Sequence, residues 1–95
     1  MITAIVMVHT AVDAIPEVAQ AVAELDGVSE VYSVSGEADL VAMVRVRRHE
    51  EIADVIADGI SKVPGVRATQ THVAFRAYSR HDLEAAFSLG VEDAD

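Results

Sequence analysis

Gly36 and Asp39 frame the run Gly36-Glu37-Ala38-Asp39, and Thr69 and Thr71 stand two positions apart further along the chain. A fixed carboxylate can accept a ligand's ammonium group, and hydroxyls can reach a ligand's carboxylate. Plainer duties suit the same residues. Asp after a turn often bonds a turn N–H, and Thr is an ordinary strand former. Gly36 suits a hairpin residue with positive φ, and it equally leaves the turn's N–H groups open to a ligand. Tyr32, one of two tyrosines, either packs at a sheet edge or walls a pocket and offers its hydroxyl.

Other chemistry is poorly provided for. The four histidines, His9, His49, His72 and His81, include no pair at i, i+3 or i, i+4, and no cysteine assists them. His9 and His72 fall on strands expected to be neighbours, which leaves a chance pairing open, but no designed metal site is expected. Ser79, His81 and Asp82 lie together as a helix-capping group rather than a nucleophile set. Lack of cysteine also removes disulfides and thiol nucleophiles. Neither a catalytic residue nor a cofactor is expected.

The elements that position these residues are written twice, 38 positions apart. Leu25-Asp26-Gly27-Val28 returns as Val63-Pro64-Gly65-Val66, Val18 and Val22 as Ile56 and Ile60, and Ile2, Ala4, Val6 and Val8 as Leu40, Ala42, Val44 and Val46. Each copy runs apolar strand, apolar residues at helical spacing, a Gly stop and a second strand. Two β-α-β units predict an α+β chain: a ferredoxin-like βαββαβ sandwich with an antiparallel four-stranded sheet and two helices on one face.

Strands are predicted over 2–9, 28–35, 39–47 and 66–76, with Ser35-Gly36-Glu37-Ala38 as the turn of a hairpin. A first helix is predicted over 14–26, with Ile15, Val18, Ala19, Val22 and Leu25 as its stripe, Asp13 as cap, Pro16 in the first turn and Gly27 as the stop. A second is predicted over 49–63, with Ile52, Val55, Ile56, Ile60 and Val63 inward. Glu50 and Glu51 suit its positive end and Lys62 its negative end. Gly59 inside it costs about 1 kcal/mol against Ala, and close packing is one explanation. A short C-terminal helix is predicted over about 82–89, then an acidic tail over 91–95. The chain reads as a single domain with its core in 2–76.

Sixteen acidic residues against seven basic ones leave a net charge of −9. A nucleic-acid-binding domain needs a positive stripe, so direct DNA or RNA contact is not expected. Aromatics are only 4% of the chain, so the core must be Val, Ile, Leu, Met and Ala. No basic leader precedes the apolar residues 1–8, and no run approaches the ~20 residues of a membrane span. A cytoplasmic protein without membrane contact is expected.

Right-handed crossovers put both helices on one side of the sheet. With Leu40, Ala42, Val44 and Val46 facing them, Val41, Met43 and Arg45 face away, as do Thr3, Ile5 and Met7 or the alternate set. A monomer rarely leaves so large an apolar patch in water. A homo-oligomer joined through the free sheet face is expected; coverage by the C-terminal helix alone is the other solution.

Three segments resemble a known family: the turn Gly-x-x-Asp at Gly36 and Asp39 within Val31–Leu40, Pro64-Gly65-Val66, and Thr-x-Thr at Thr69 and Thr71. In this order and spacing they are similar to the effector-binding domain of leucine-responsive (Lrp/AsnC) transcriptional regulators, the module called RAM. The likeness spans roughly residues 2–76. It implies homodimers that assemble further, with an amino acid or related small effector bound where dimers meet near the turn between the second and third strands. Carried onto this chain, it implies a ligand site of Tyr32, Val34, Ser35, Gly36, Glu37, Asp39, Thr69 and Thr71. Family members carry an N-terminal helix-turn-helix, whereas this chain begins at the first strand. A stand-alone sensing module is therefore expected, acting through ligand-dependent assembly or co-assembly with full-length Lrp/AsnC regulators. Two other readings remain: a small dimeric ferredoxin-like monooxygenase or isomerase, poorly served by two Phe, two Tyr and no Trp, and an ACT-like amino-acid-binding module.

Overall fold

Strict alternation along the first strand sets the architecture. The computed structural model describes residues 1–80, and the helix expected over 82–89 and the tail over 91–95 lie outside them. Strand β1 (Ile2–Thr10) buries Ala4, Val6, Val8 and Thr10, while Thr3, Ile5, Met7 and His9 between them are half-exposed. Helix α1 (Ile15–Ala23) follows, then β2 (Val28–Ser33), β3 (Leu40–Val46), the second crossover, and β4 (Val66–Val73). The sheet order is β2-β3-β1-β4, and every neighbouring pair is antiparallel. This is the expected α+β ferredoxin-like arrangement.

Both crossovers cover one face. Val18 and Val22 of α1 and Ile52 and Ile60 of the second crossover pack on Ala4, Val6, Val8, Leu40, Ala42, Val44 and Val46. Burying such side chains contributes about 1.5–3 kcal/mol each and makes this layer the core. The described residues leave Thr3, Ile5, Met7, Val41, Met43 and Arg45 on the opposite, open face, as alternation requires.

The repeated tetrapeptide makes the same turn twice. Val28 N–H donates to Leu25 O at 3.2 Å and Val66 N–H to Val63 O at 3.1 Å. The third residue of each turn has positive φ, 91° at Gly27 and 100° at Gly65. Room matters as much as conformation. A Cβ on Gly27 would lie 2.6 Å from Val55 of the second crossover, and one on Gly65 would lie 2.8 Å from Val18 of α1. Each unit's stop glycine therefore seats against the other unit's helix.

Two local expectations need correction. Asp13 does not cap α1: the N-cap is Ala14, without a side-chain bond, and Ala14 N–H instead donates to Ala11 O at 3.0 Å. A backbone turn thus replaces the side-chain cap. The second crossover is not one regular helix either. Its α-helical part, α2 (Glu50–Ala53), passes into a π-helical stretch over Asp54–Gly59 and a 3-10 turn over Ile60–Lys62. A Cβ on Gly59 would sit 3.2 Å from Leu25 Cδ1, so the second crossover approaches the end of the first unit closely at this glycine. Among the described residues no helix is long and apolar enough to cross a membrane.

Candidate functional site

Asp39 ties the hairpin turn to the end of β1. Its N–H donates to Val8 O at 3.0 Å, and its Oδ2 accepts from Thr10 N–H at 2.9 Å. The carboxylate thus satisfies a backbone donor 29 residues away rather than a turn N–H, and it is fixed by both contacts. Val34 N–H donates to Asp39 O at 3.1 Å and closes the turn. Between them Val34, Ser35, Gly36 and Glu37 are exposed. Gly36 has φ 111°, and nothing lies within 4 Å of where its Cβ would be. Glycine here serves the backbone conformation and leaves the turn open.

The register places the other candidates. Tyr32 pairs with Val41, and Val41 with Met7, so Tyr32 belongs to the open face. It is 51% exposed, and its hydroxyl donates to Glu30 Oε2 at 3.1 Å. Thr69 and Thr71 pair with Val8 and Val6, which puts both on the helix side of β4. One chain therefore brings the turn and Asp39 together, leaves Tyr32 on one face, and sends the threonines to the other, beyond β1. Thr71 lines a shallow groove with His49, Glu50, Ile52, Ala53 and Ile56, away from the turn.

Sequence reading passed over a polar cluster on the open face. Arg45 bonds Glu30 Oε1 at 2.8 Å and also Ser29 Oγ, while Ser29 Oγ donates to Met43 O at 3.1 Å. The Arg45 guanidinium, then the Tyr32 and Ser29 hydroxyls, hold the Glu30 carboxyl below its ordinary value. Donating to that carboxylate pushes the Tyr32 phenol up. Glu30 faces Met43, so Arg45 is its diagonal neighbour on the same face, and opposite charges on adjoining strands were the available signal; the register shift between Val28 and Glu30 hid it from simple alternation. His9 and His72 both lie on the open face but oppose Ala68 and Ile5, so they are not cross-strand partners.

Comparisons with known proteins agree with this geometry. Residues 3–83 match the Lrp/AsnC ligand binding domain family model. An uncharacterised HTH-type transcriptional regulator of Pyrococcus horikoshii is 42% identical over 59 residues, 62% of this chain. The chain spans 39% of the length of that curated relative. A protein of solved structure from Thermus thermophilus is 48% identical, covered over 84% of this chain and 100% of that one, with a TM-score of 0.80. The feast or famine regulatory protein from M. tuberculosis, solved with L-methionine, is 25% identical over 84% of this chain and 54% of that one, with a TM-score of 0.67. Fold, matched span and shared sequence converge, and this chain belongs to the Lrp/AsnC ligand-binding domain family.

Proposed function

We propose that this chain is a small-molecule sensing module with no chemistry of its own, binding an amino acid or related metabolite at the β2–β3 turn where paired copies meet. The observation that carries it is the open face: Ile5, Met7, Val41 and Met43 form an apolar stripe that ends beside Asp39. A second copy on this stripe removes it from water and creates a junction beside the turn. There the fixed Asp39 carboxylate receives the ligand's ammonium group. Val34, Ser35, Gly36 and Glu37 supply the wall and backbone donors, and Tyr32 an aromatic side. Thr69 and Thr71, on the far face, join the same ligand only when another copy brings them. Ligand that binds one assembly better shifts the population toward it. Co-assembly with full-length regulators of the family then passes the signal on, which agrees with HTH-type regulators among the relatives and with L-methionine in the M. tuberculosis one.

A thermal-shift screen of amino acids, run beside light scattering, tests this. A ligand at about 100 times its Kd adds roughly 2.7 kcal/mol of stability, a shift of some 10 °C or more for a domain of this size. The active compound is expected to change particle size as well. Asp39→Asn, which keeps an acceptor for Thr10 N–H but loses the charge, is expected to abolish the response and retain the fold. A normal response in that variant refutes the site, and turnover of a screened compound refutes the absence of chemistry.

A further inference from the structure

Asp39 grips β1 on both sides of one residue. Its N–H donates to Val8 O and its Oδ2 accepts from Thr10 N–H, so His9 stands between the two bonds. Alternation turns the His9 side chain to the open face, the face that carries Met7 and Tyr32. Across on β4 its facing residue is Ala68, whose methyl group leaves the imidazole uncrowded on that side. The imidazole and the anchored carboxylate therefore share one end of the open face, beside the exposed turn of Val34, Ser35, Gly36 and Glu37.

The ring is half-buried, and among the described residues its Nδ1 is the side-chain atom left buried without a hydrogen-bond partner. A proton there would be a donor with no acceptor, and buried N–H groups are satisfied more strictly than lone pairs. The neutral imidazole therefore carries its single proton on the other nitrogen. His9 thus holds an Nε2–H donor at the tip of the ring, toward the open face. Its charged neighbours are Asp39 and Glu37 on the turn side and Arg67, the extra residue at the register shift of β4. Other donors lie elsewhere. Thr69 and Thr71 are on the helix side, and His72 faces Ile5, which is about 13 Å from His9 at strand spacing.

We infer that His9 is a specificity-determining residue of the turn site: its Nε2–H donates to the carboxylate of a bound α-amino acid while Asp39 takes the ammonium group. The inference rests on the binding proposed at the β2–β3 turn and completes it, because both poles of the zwitterion then find partners on one copy. A hydrogen bond to a carboxylate is stronger than one to a neutral amide. The site therefore selects free amino acids over their α-amides, which keep the amine and lose the negative charge.

Titration of each standard amino acid beside its α-amide, at neutral pH, tests this. Wild type is expected to bind the free acid about tenfold more tightly than the amide. His9→Phe keeps a ring but loses the N–H, and is expected to bind both with the affinity that wild type has for the amide. His9→Gln sets an amide N–H near the place of Nε2–H and is expected to retain the preference, as is Arg67→Gln. A loss of packing alone would weaken acid and amide equally. Equal binding of the two by wild type, a preference that survives His9→Phe, or one lost in His9→Gln or Arg67→Gln overturns the inference and leaves binding at the turn standing. Failure of every amino acid to bind wild type refutes binding at the turn, and the inference falls with it.

Discussion

One face of the sheet carries Ala4, Val6, Val8, Leu40, Ala42 and Val44, and the other carries Thr3, Ile5, Met7, Val41, Met43 and Arg45. The backbone ladder is common to both. On the first, two crossovers remove the side chains from water completely; on the second, the described residues leave the stripe half-exposed. The difference separates two duties. The covered face holds the chain folded, while the open face, left uncovered by the described residues, is bordered by the Glu30–Arg45 cluster that spans two strands.

Substitution can break that contrast. Leu40→Ala on the covered face opens a cavity in a fully buried layer and is expected to cost about 2–5 kcal/mol, read from urea unfolding. Met43→Glu on the open face is expected to leave single-chain stability within about 0.5 kcal/mol while abolishing association in sedimentation at micromolar protein. If both changes unfold the chain alike, the faces do not have separate duties. The smallest effect belongs to Glu30→Gln. Because the folded carboxyl sits below its ordinary 4.5, its contribution is present above that value and is lost as pH falls through the lowered one. Wild type and Glu30→Gln should therefore differ slightly at neutral pH and converge in acid below about 4.5, with salt narrowing the gap. A gap that widens in acid contradicts the assigned partners.

Much of this was legible from residue order. The 38-position repeat located all four strands, and strand parity correctly set Leu40, Ala42, Val44 and Val46 against the helices. Glu50 and Glu51 did fall in the first turn of α2. What escaped depends on contacts that a linear pattern does not encode. The π-helical stretch over Asp54–Gly59 is defined by i→i+5 backbone bonds, which the spacing of its apolar residues does not announce. The Ala14 cap depends on a backbone turn for which Asp13 looked like the natural substitute. For the candidate site, parity showed that Thr69 and Thr71 share a face, but sheet order was needed to see that Tyr32 lies on the other one. Asp39 was recognisable as a fixed anion, yet its anchor, Thr10, is remote in sequence.

The strand order has a consequence for how the chain acquires its shape. The first unit contributes β1 and β2, the second β3 and β4, and all three ladders join a strand of one to a strand of the other. Neither half possesses a single ladder by itself, and the reciprocal seating of Gly27 on Val55 and Gly65 on Val18 locks them further. A polypeptide severed in the exposed 35–37 turn would yield two pieces with no sheet until they met. Half-folded intermediates thus have little to stand on.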